Sequence, residues 1–206
     1  MNKIFRLTLL SLIFTSFFTL NVKSENEKEY ATIGGGCFWS MEALFERVNG
    51  VISVEPGYSG GNVVNPTYKE VCSSKTNHAE SIQILFDPKK ISYKKILEVF
   101  WKVHEPTTLN RQGVDEGTQY RSIIFYHNKK QKEIAEKSKA EIFKSGYWGK
   151  SPIVTEIKTF TKFYRAEDYH RDYYTKNTDD SYSKAVIEPK ILKLKLNLKE
   201  FFVDKK

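Results

Sequence analysis

Cysteine and histidine are scarce in this chain. Its 206 residues hold two cysteines, Cys37 and Cys72, and four histidines. His104, His127 and His170 show no metal-ligand spacing with a second cysteine or histidine, so no metal site is expected. There is no repeat of 20–50 residues and no long low-complexity tract, which argues against a solenoid or a disordered linker. Lysine and arginine outnumber aspartate and glutamate by 33 to 25, a formal net charge of +8. The basic residues are spread over helical faces, such as Lys129 to Lys144, and over the tail. No basic stripe interleaves with aromatics, so nucleic acid is not an expected partner. Core-forming material is plentiful: 40% of the residues are hydrophobic and 14% aromatic, enough for one core and a single domain.

The longest apolar run is at the N-terminus. Met1 to Arg6 is a short basic start, and Leu7 to Leu20 carries no charge. Val22-Lys23-Ser24 puts small residues at the two positions a cleavage site needs. Residues 1–24 therefore have the layout of a secretory signal peptide, with the domain spanning 25–206. A transmembrane helix needs about 20 apolar residues, so an uncleaved membrane anchor is the alternative. No cysteine follows the run to take a lipid. Cleavage after Ser24 removes three basic residues and leaves 30 against 25 acidic ones, a net +5. Export, periplasmic or secreted, is expected. In an oxidising compartment a cysteine pair is usually a disulfide, so a Cys37–Cys72 bridge competes with a reactive Cys37.

The chain is organised around Gly34-Gly35-Gly36-Cys37-Phe38-Trp39-Ser40-Met41-Glu42. Tyr30 to Ile33 reads as a short strand leading in. Phe38, Met41, Leu44, Phe45 and Val48 then fall at helical spacing. Cys37 thus sits where a strand breaks and a helix starts. Free amides and the positive dipole end favour anions there, which predicts a lowered thiol pKa. Phe38 and Trp39 put aromatic walls beside the sulfur. No lysine follows the glycines, as a nucleotide-phosphate loop would require.

Further along, Gly50 to Glu55 predicts a strand, and Pro56 to Asn62 reads as a turn. Asn65-Pro66-Thr67-Tyr68 begins a short helix through Cys72. Ser81 to Phe86 alternates as a half-buried strand with Glu80 at its mouth. Ser92 caps a helix with Ile96, Leu97, Phe100 and Val103 on its apolar face. Thr107 to Gly117 is turn-rich, Ser122 to Tyr126 is a strand, and Asn128 caps a charged helix that stops near Gly146. Ile153 to Phe160 predicts a strand and Ala166 to Tyr174 a short aromatic helix. Pro189 opens a C-terminal helix, with a helical tail from about 185. Mixed helices and strands predict one compact α+β domain, a mixed or antiparallel sheet with helices packed on it.

Five segments together resemble the methionine sulfoxide reductase A family. They are Gly36-Cys37-Phe38-Trp39, Gly57-Tyr58-Ser59-Gly60-Gly61 with Asn65-Pro66-Thr67-Tyr68, His78-Ala79-Glu80, Gly117-Thr118-Gln119-Tyr120-Arg121-Ser122, and Ala166-Glu167-Asp168-Tyr169-His170. The resemblance spans about residues 30 to 178. It implies a two-layer sandwich with a ferredoxin-like core. It also implies thiol-dependent reduction of methionine-(S)-sulfoxide, in proteins and as the free amino acid. Cys37 would be the nucleophile and Glu80 the acid that protonates the sulfoxide oxygen. Tyr68 and Tyr120 would hydrogen-bond that oxygen, and Asp115 would hold the polar side. Phe38 and Trp39 would receive the methyl group. No bound cofactor is implied, only an external thiol reductant, a thioredoxin-like protein or a small thiol. Oxidised proteins and peptides are the implied substrates, and a monomer is expected.

Two features depart from the family pattern. Ser40 stands where many members have glycine. Many members also carry resolving cysteines in a glycine-rich tail, whereas this chain has no cysteine after Cys72; Asp179-Asp180-Ser181-Tyr182 stands where that tail would start. Cys72 is thus the candidate resolving residue, against direct reduction of a Cys37 sulfenic acid by an external thiol, which is the preferred expectation. A cysteine hydrolase using Cys37 and His78, and a non-enzymatic module stapled by Cys37–Cys72, are the rival readings.

Overall fold

The structure is a computed structural model and describes residues 28–204. The expected signal peptide or anchor over residues 1–24 lies outside the described residues. No described helix is long and apolar enough to cross a membrane.

The chain forms β1 (Glu29–Gly34), α1 (Phe38–Phe45), β2 (Val51–Ser59), α2 (Tyr68–Cys72), β3 (Ala79–Phe86) and α3 (Tyr93–Val103). A small hairpin, β4 (Arg111–Gln112) and β5 (Asp115–Glu116), precedes β6 (Ile123–Tyr126), α4 (Lys129–Lys144) and β7 (Glu156–Thr159). β8 (Phe163–Arg165), α5 (Tyr173–Lys176), a π-helical turn over Ser183–Ile187 and α6 (Glu188–Asn197) complete it. Six strands form one sheet in the order β7-β6-β1-β3-β2-β8. β6 and β7 are parallel and the other pairs antiparallel. The inner four strands, β6-β1-β3-β2, with α1 and α3 as their crossovers, make the split βαβ arrangement of a ferredoxin-like core.

Local sequence explains most of these elements. Ile82, Ile84 and Phe86 of β3 are fully buried, as their alternation requires. They join Leu44 and Phe45 of α1 and Ile96, Leu97 and Phe100 of α3 in one core. The Ser92 and Asn128 side chains accept from Lys95 N–H and Gln131 N–H and start α3 and α4. Thr67 and Glu70 form a reciprocal capping box that starts α2.

Three expectations are corrected. Pro56 to Ser59 is not a turn; β2 continues through it, because β8 supplies a second partner strand and Pro56 C=O accepts from Ala166 N–H (2.9 Å). Gly57 is needed there: a Cβ would lie 2.3 Å from the Tyr164 carbonyl oxygen of β8. The strand expected over 153–160 is limited to Glu156–Thr159. The aromatic helix expected over 166–174 is instead a 3₁₀ turn at Asp168–His170 and the short α5, separated by Asp172 in the left-handed region (φ 54°).

Candidate active site

The site assembles at the start of α1. Gly36 has φ 94°, and a Cβ on it would lie 2.5 Å from the Gln112 side chain. Glycine therefore lets the chain turn into α1 with the β4–β5 hairpin packed against it. Gln112 is itself pinned, accepting from Glu105 N–H (2.9 Å). The same hairpin carries Asp115. Cys37 is the N-cap of α1 and is 6% exposed.

Glu80, at the mouth of β3, is 1% exposed. Phe38 N–H donates to Glu80 Oε2 (3.0 Å), while Oε1 is buried without a partner in the protein. An unpartnered carboxyl oxygen this deep is costly unless the group is neutral or meets a ligand. Burial accordingly pushes the Glu80 carboxyl up to about 8, against the pull of the Phe38 amide and with a further push from Asp115.

The thiol behaves differently from its sequence expectation. Burial, and then the neighbouring Glu80, push the Cys37 thiol well above its ordinary range. The Tyr182 hydroxyl and the Trp39 N–H pull the other way, and Asp115 adds to the push. The helix start does favour an anion, but Phe38 N–H is given to Glu80 and desolvation outweighs what remains. The resting site is therefore a neutral thiol beside a neutral carboxylic acid.

Aromatic rings wall this pair. Phe38 is fully buried, and its ring centroid lies 6.3 Å from Tyr68 and 4.9 Å from His170. Trp39 stacks on Tyr173 at 3.6 Å and meets Tyr182 edge-on at 5.8 Å. Its Nε1–H donates to His170 Nδ1 (3.0 Å), which fixes the indole plane. Tyr68 and Tyr120 are half-buried, and burial first, then an ionised Glu80, would push both hydroxyls up. Burial pushes the Cys72 thiol up, and the Tyr68 hydroxyl pulls it the other way. Asp115 Oδ2 accepts from the Tyr182 hydroxyl (2.8 Å). All the residues selected from the sequence, Cys37, Phe38, Trp39, Tyr68, Cys72, Glu80, Asp115 and Tyr120, are thus connected through one set of contacts and charges.

Cys37 and Cys72 are both free thiols, so no bridge staples the domain. His78 is also occupied. Gly61 N–H donates to its Nδ1 (3.1 Å), and its Nε2 bonds the Val63 carbonyl (2.8 Å). Both ring nitrogens hold the loop before α2, which removes the general base that a hydrolase reading needs.

Three further residues were not visible as site residues in the sequence. Glu167 accepts from the Tyr58 hydroxyl and from Tyr68 N–H (both 2.8 Å), tying β2 to the start of α2. His170 orients Trp39. Tyr182 comes from the C-terminal segment, more than 140 residues from Cys37. That charged segment offers no short-range signal that one of its residues meets Trp39 and Asp115. Among the described residues, Glu42, Glu46 and Asp172 form an acidic group with oxygens within 4.8 Å of one another.

A family model for peptide methionine sulfoxide reductase matches residues 29–201. The chain belongs to that family. Peptide methionine sulfoxide reductase MsrA of Saccharolobus solfataricus is 58% identical over 165 residues, 80% of this chain and 92% of that protein. The Sulfolobus acidocaldarius protein of the same description is 54% identical over 169 residues, 82% and 94% of the two chains. Among solved structures, reduced Mxr1 from Saccharomyces cerevisiae superposes with a TM-score of 0.69 at 33% identity, covering 75% of this chain and 88% of that one. Methionine sulfoxide reductase A of Corynebacterium diphtheriae gives 0.68 at 34%, covering 75% and 77%. The α+β fold is thus the family's fold. The chain is an oxidoreductase acting on methionine sulfoxide at the expense of a thiol.

Proposed function

We propose that Cys37 reduces methionine-(S)-sulfoxide, in proteins and as the free amino acid, through a sulfenic acid, with Glu80 as its general acid. The observation that carries this reading is the buried, unpartnered Oε1 of a Glu80 carboxyl held neutral beside the thiol. A sulfoxide sulfur is a poor electrophile because its oxygen leaves badly. Glu80 gives its proton to that oxygen, and Cys37 attacks the sulfur as thiolate, its own proton passing to Glu80. The oxygen ends on Cys37 and methionine is released, so one thiol and one sulfoxide become one sulfenic acid and one thioether. Phe38 and Trp39 take the methyl group. The Tyr68 and Tyr120 hydroxyls hydrogen-bond the oxygen without adding charge. Asp115 holds the polar side through Tyr182.

An external thiol, thioredoxin-like or small, then reduces the sulfenic acid directly. The chain is cysteine-free after Cys72, and the segment that follows Asp179 is folded as a π-helical turn and α6. The protein acts outside the cytoplasm as a monomer, on oxidised proteins; the layout of residues 1–24 supports the export. A single turnover without reductant tests the chemistry. Pre-reduced protein and a methionine-(S)-sulfoxide peptide should give one methionine and lose one thiol per chain. Loss of both thiols with a mapped Cys37–Cys72 disulfide would make Cys72 the resolving residue. No methionine from folded protein with free thiols would reject the reductase assignment of Cys37.

A further inference from the structure

One carboxylate lies behind three of the rings around Phe38. The Phe38 ring centroid is 5.8 Å from Tyr58, 6.3 Å from Tyr68 and 4.9 Å from His170. Glu167 reaches the residues that carry all three. Its Oε1 accepts from Tyr68 N–H (2.8 Å) and its Oε2 from the Tyr58 hydroxyl (2.8 Å). Oε2 also lies 3.9 Å from His170 Nε2. His170 Nδ1 accepts from Trp39 Nε1–H (3.0 Å), so the neutral ring carries its proton on Nε2, the nitrogen nearest that carboxylate.

The chain around Glu167 explains its reach. β8 ends at Arg165, and Ala166 N–H donates to Pro56 C=O (2.9 Å), which keeps the backbone at the sheet edge for one more residue. Glu167 then opens the 3₁₀ turn Asp168–His170, its own C=O accepting from His170 N–H (2.9 Å). A glutamate that serves only solubility faces water with both oxygens. Glu167 commits one to a helix N-terminal amide and the other to the hydroxyl of the fully buried Tyr58. Burial opposes its charge, but the amides of Tyr68 and of Glu167 itself and the Tyr58 hydroxyl outweigh it and hold the carboxyl below the usual range. An ionised acceptor bonds about twice as strongly as a neutral one. Tyr68 opens a helix of five residues, whose first amides have no partner within it.

We propose that Glu167 is a positioning residue for the reduction step: by holding the Tyr68 amide and the Tyr58 hydroxyl on one carboxylate, it fixes Tyr68 against Phe38 where the Tyr68 hydroxyl meets the sulfoxide oxygen. The proposal rests on the reading of Tyr68 as a hydrogen-bond donor to that oxygen. It gives β8 and the turn after it a part in the chemistry.

A double-variant cycle separates this role from a purely structural cap. The single-turnover rate on a methionine-(S)-sulfoxide peptide is measured for wild type, Glu167→Ala, Tyr68→Phe and the pair, at a temperature where all are folded. A misplaced group costs up to about a hundredfold in rate, so Glu167→Ala should slow reduction about tenfold or more. In the Tyr68→Phe background the same change should cost less than about threefold, because the hydroxyl it positions is already gone. Glu167→Gln keeps an acceptor for Tyr68 N–H and gains an amide that can donate to the Tyr58 oxygen, so it should stay within about threefold of wild type. Glu167→Asp, one methylene too short to reach both partners, replaces the Ala variant if that protein does not fold. Wild-type turnover in folded Glu167→Ala would overturn the proposal, and so would factors that multiply in the double variant or an equal loss in Glu167→Gln. A Tyr68→Phe protein that turns over at the wild-type rate would instead reject the reading of Tyr68 on which the proposal rests.

Discussion

Glu80 illustrates how burial turns an ordinary carboxyl into an acid that still carries its proton at neutral pH. Its native pKa of about 8 lies above the ordinary value of 4.5. Between those values the folded protein holds a proton that the unfolded chain has released. Stability therefore falls as pH rises across that window and levels off above it. Glu80→Gln stays neutral throughout and can still accept from Phe38 N–H, so its melting temperature should not share the decline. A wild-type stability profile parallel to that of the Gln variant from pH 4.5 to 8 would contradict the neutral state of Glu80. The same substitution removes the proton donor. Single-turnover reduction should drop by about 10²–10⁴, the usual contribution of a general acid. In wild type the reduction step should weaken as pH passes about 8 and Glu80 ionises.

Among the elements, α2 is short enough that its cap decides its stability. Five residues cannot sustain a helix by propagation alone. The Thr67–Glu70 box satisfies its first amides, and Glu167 receives Tyr68 N–H. Thr67→Ala should cost about 1 kcal/mol by chemical denaturation. Because Tyr68 is the first residue of α2, the substrate KM should rise as well; an unchanged KM with lowered stability would separate Tyr68 from substrate binding. On the other side of the site, β2 tolerates no side chain at position 57. Gly57→Ala drives a methyl into the Tyr164 carbonyl and the Phe163 ring. Overpacking of this kind costs about 1–3 kcal/mol, readable as a shift of the urea midpoint.

At the scale of the whole molecule, the C-terminal segment locks the site. Ile187 is fully buried, and Leu194, Leu198 and Phe201 belong to the main core. Asn49 N–H donates to the Phe201 carbonyl (2.7 Å), and Val203 N–H to the Arg47 carbonyl (2.9 Å), clamping the far end of the segment beyond α1. Leu194→Ala should cost about 2–5 kcal/mol by equilibrium unfolding, through the cavity it leaves. It should also slow single turnover at a temperature where the protein remains folded, because Tyr182, which holds Asp115, hangs from the same segment. Full turnover in a destabilised Leu194→Ala protein would show that the segment supports the fold without supporting the site.

By itself the sequence determined the local elements and the residue types of the chemistry. The alternation in β3, the caps at Ser92 and Asn128, and the break from β1 into α1 at the glycines are all short-range signals, whereas the pairing of Cys37 with Glu80 is an expectation carried by the resemblance of five ordered motifs. Periodicity and capping act over a few residues and are written in the order of the chain. What tertiary structure alone decided depends on distant segments meeting. β8 has three residues and no alternation to announce it, yet it extends β2 and demands Gly57. Desolvation reversed the expected effect of the helix start on Cys37, because burial is a property of everything packed around a group. Tyr182 joined the site only when the C-terminal segment docked on the core and brought it to Trp39 and Asp115, beside a sulfur fixed near the other end of the chain.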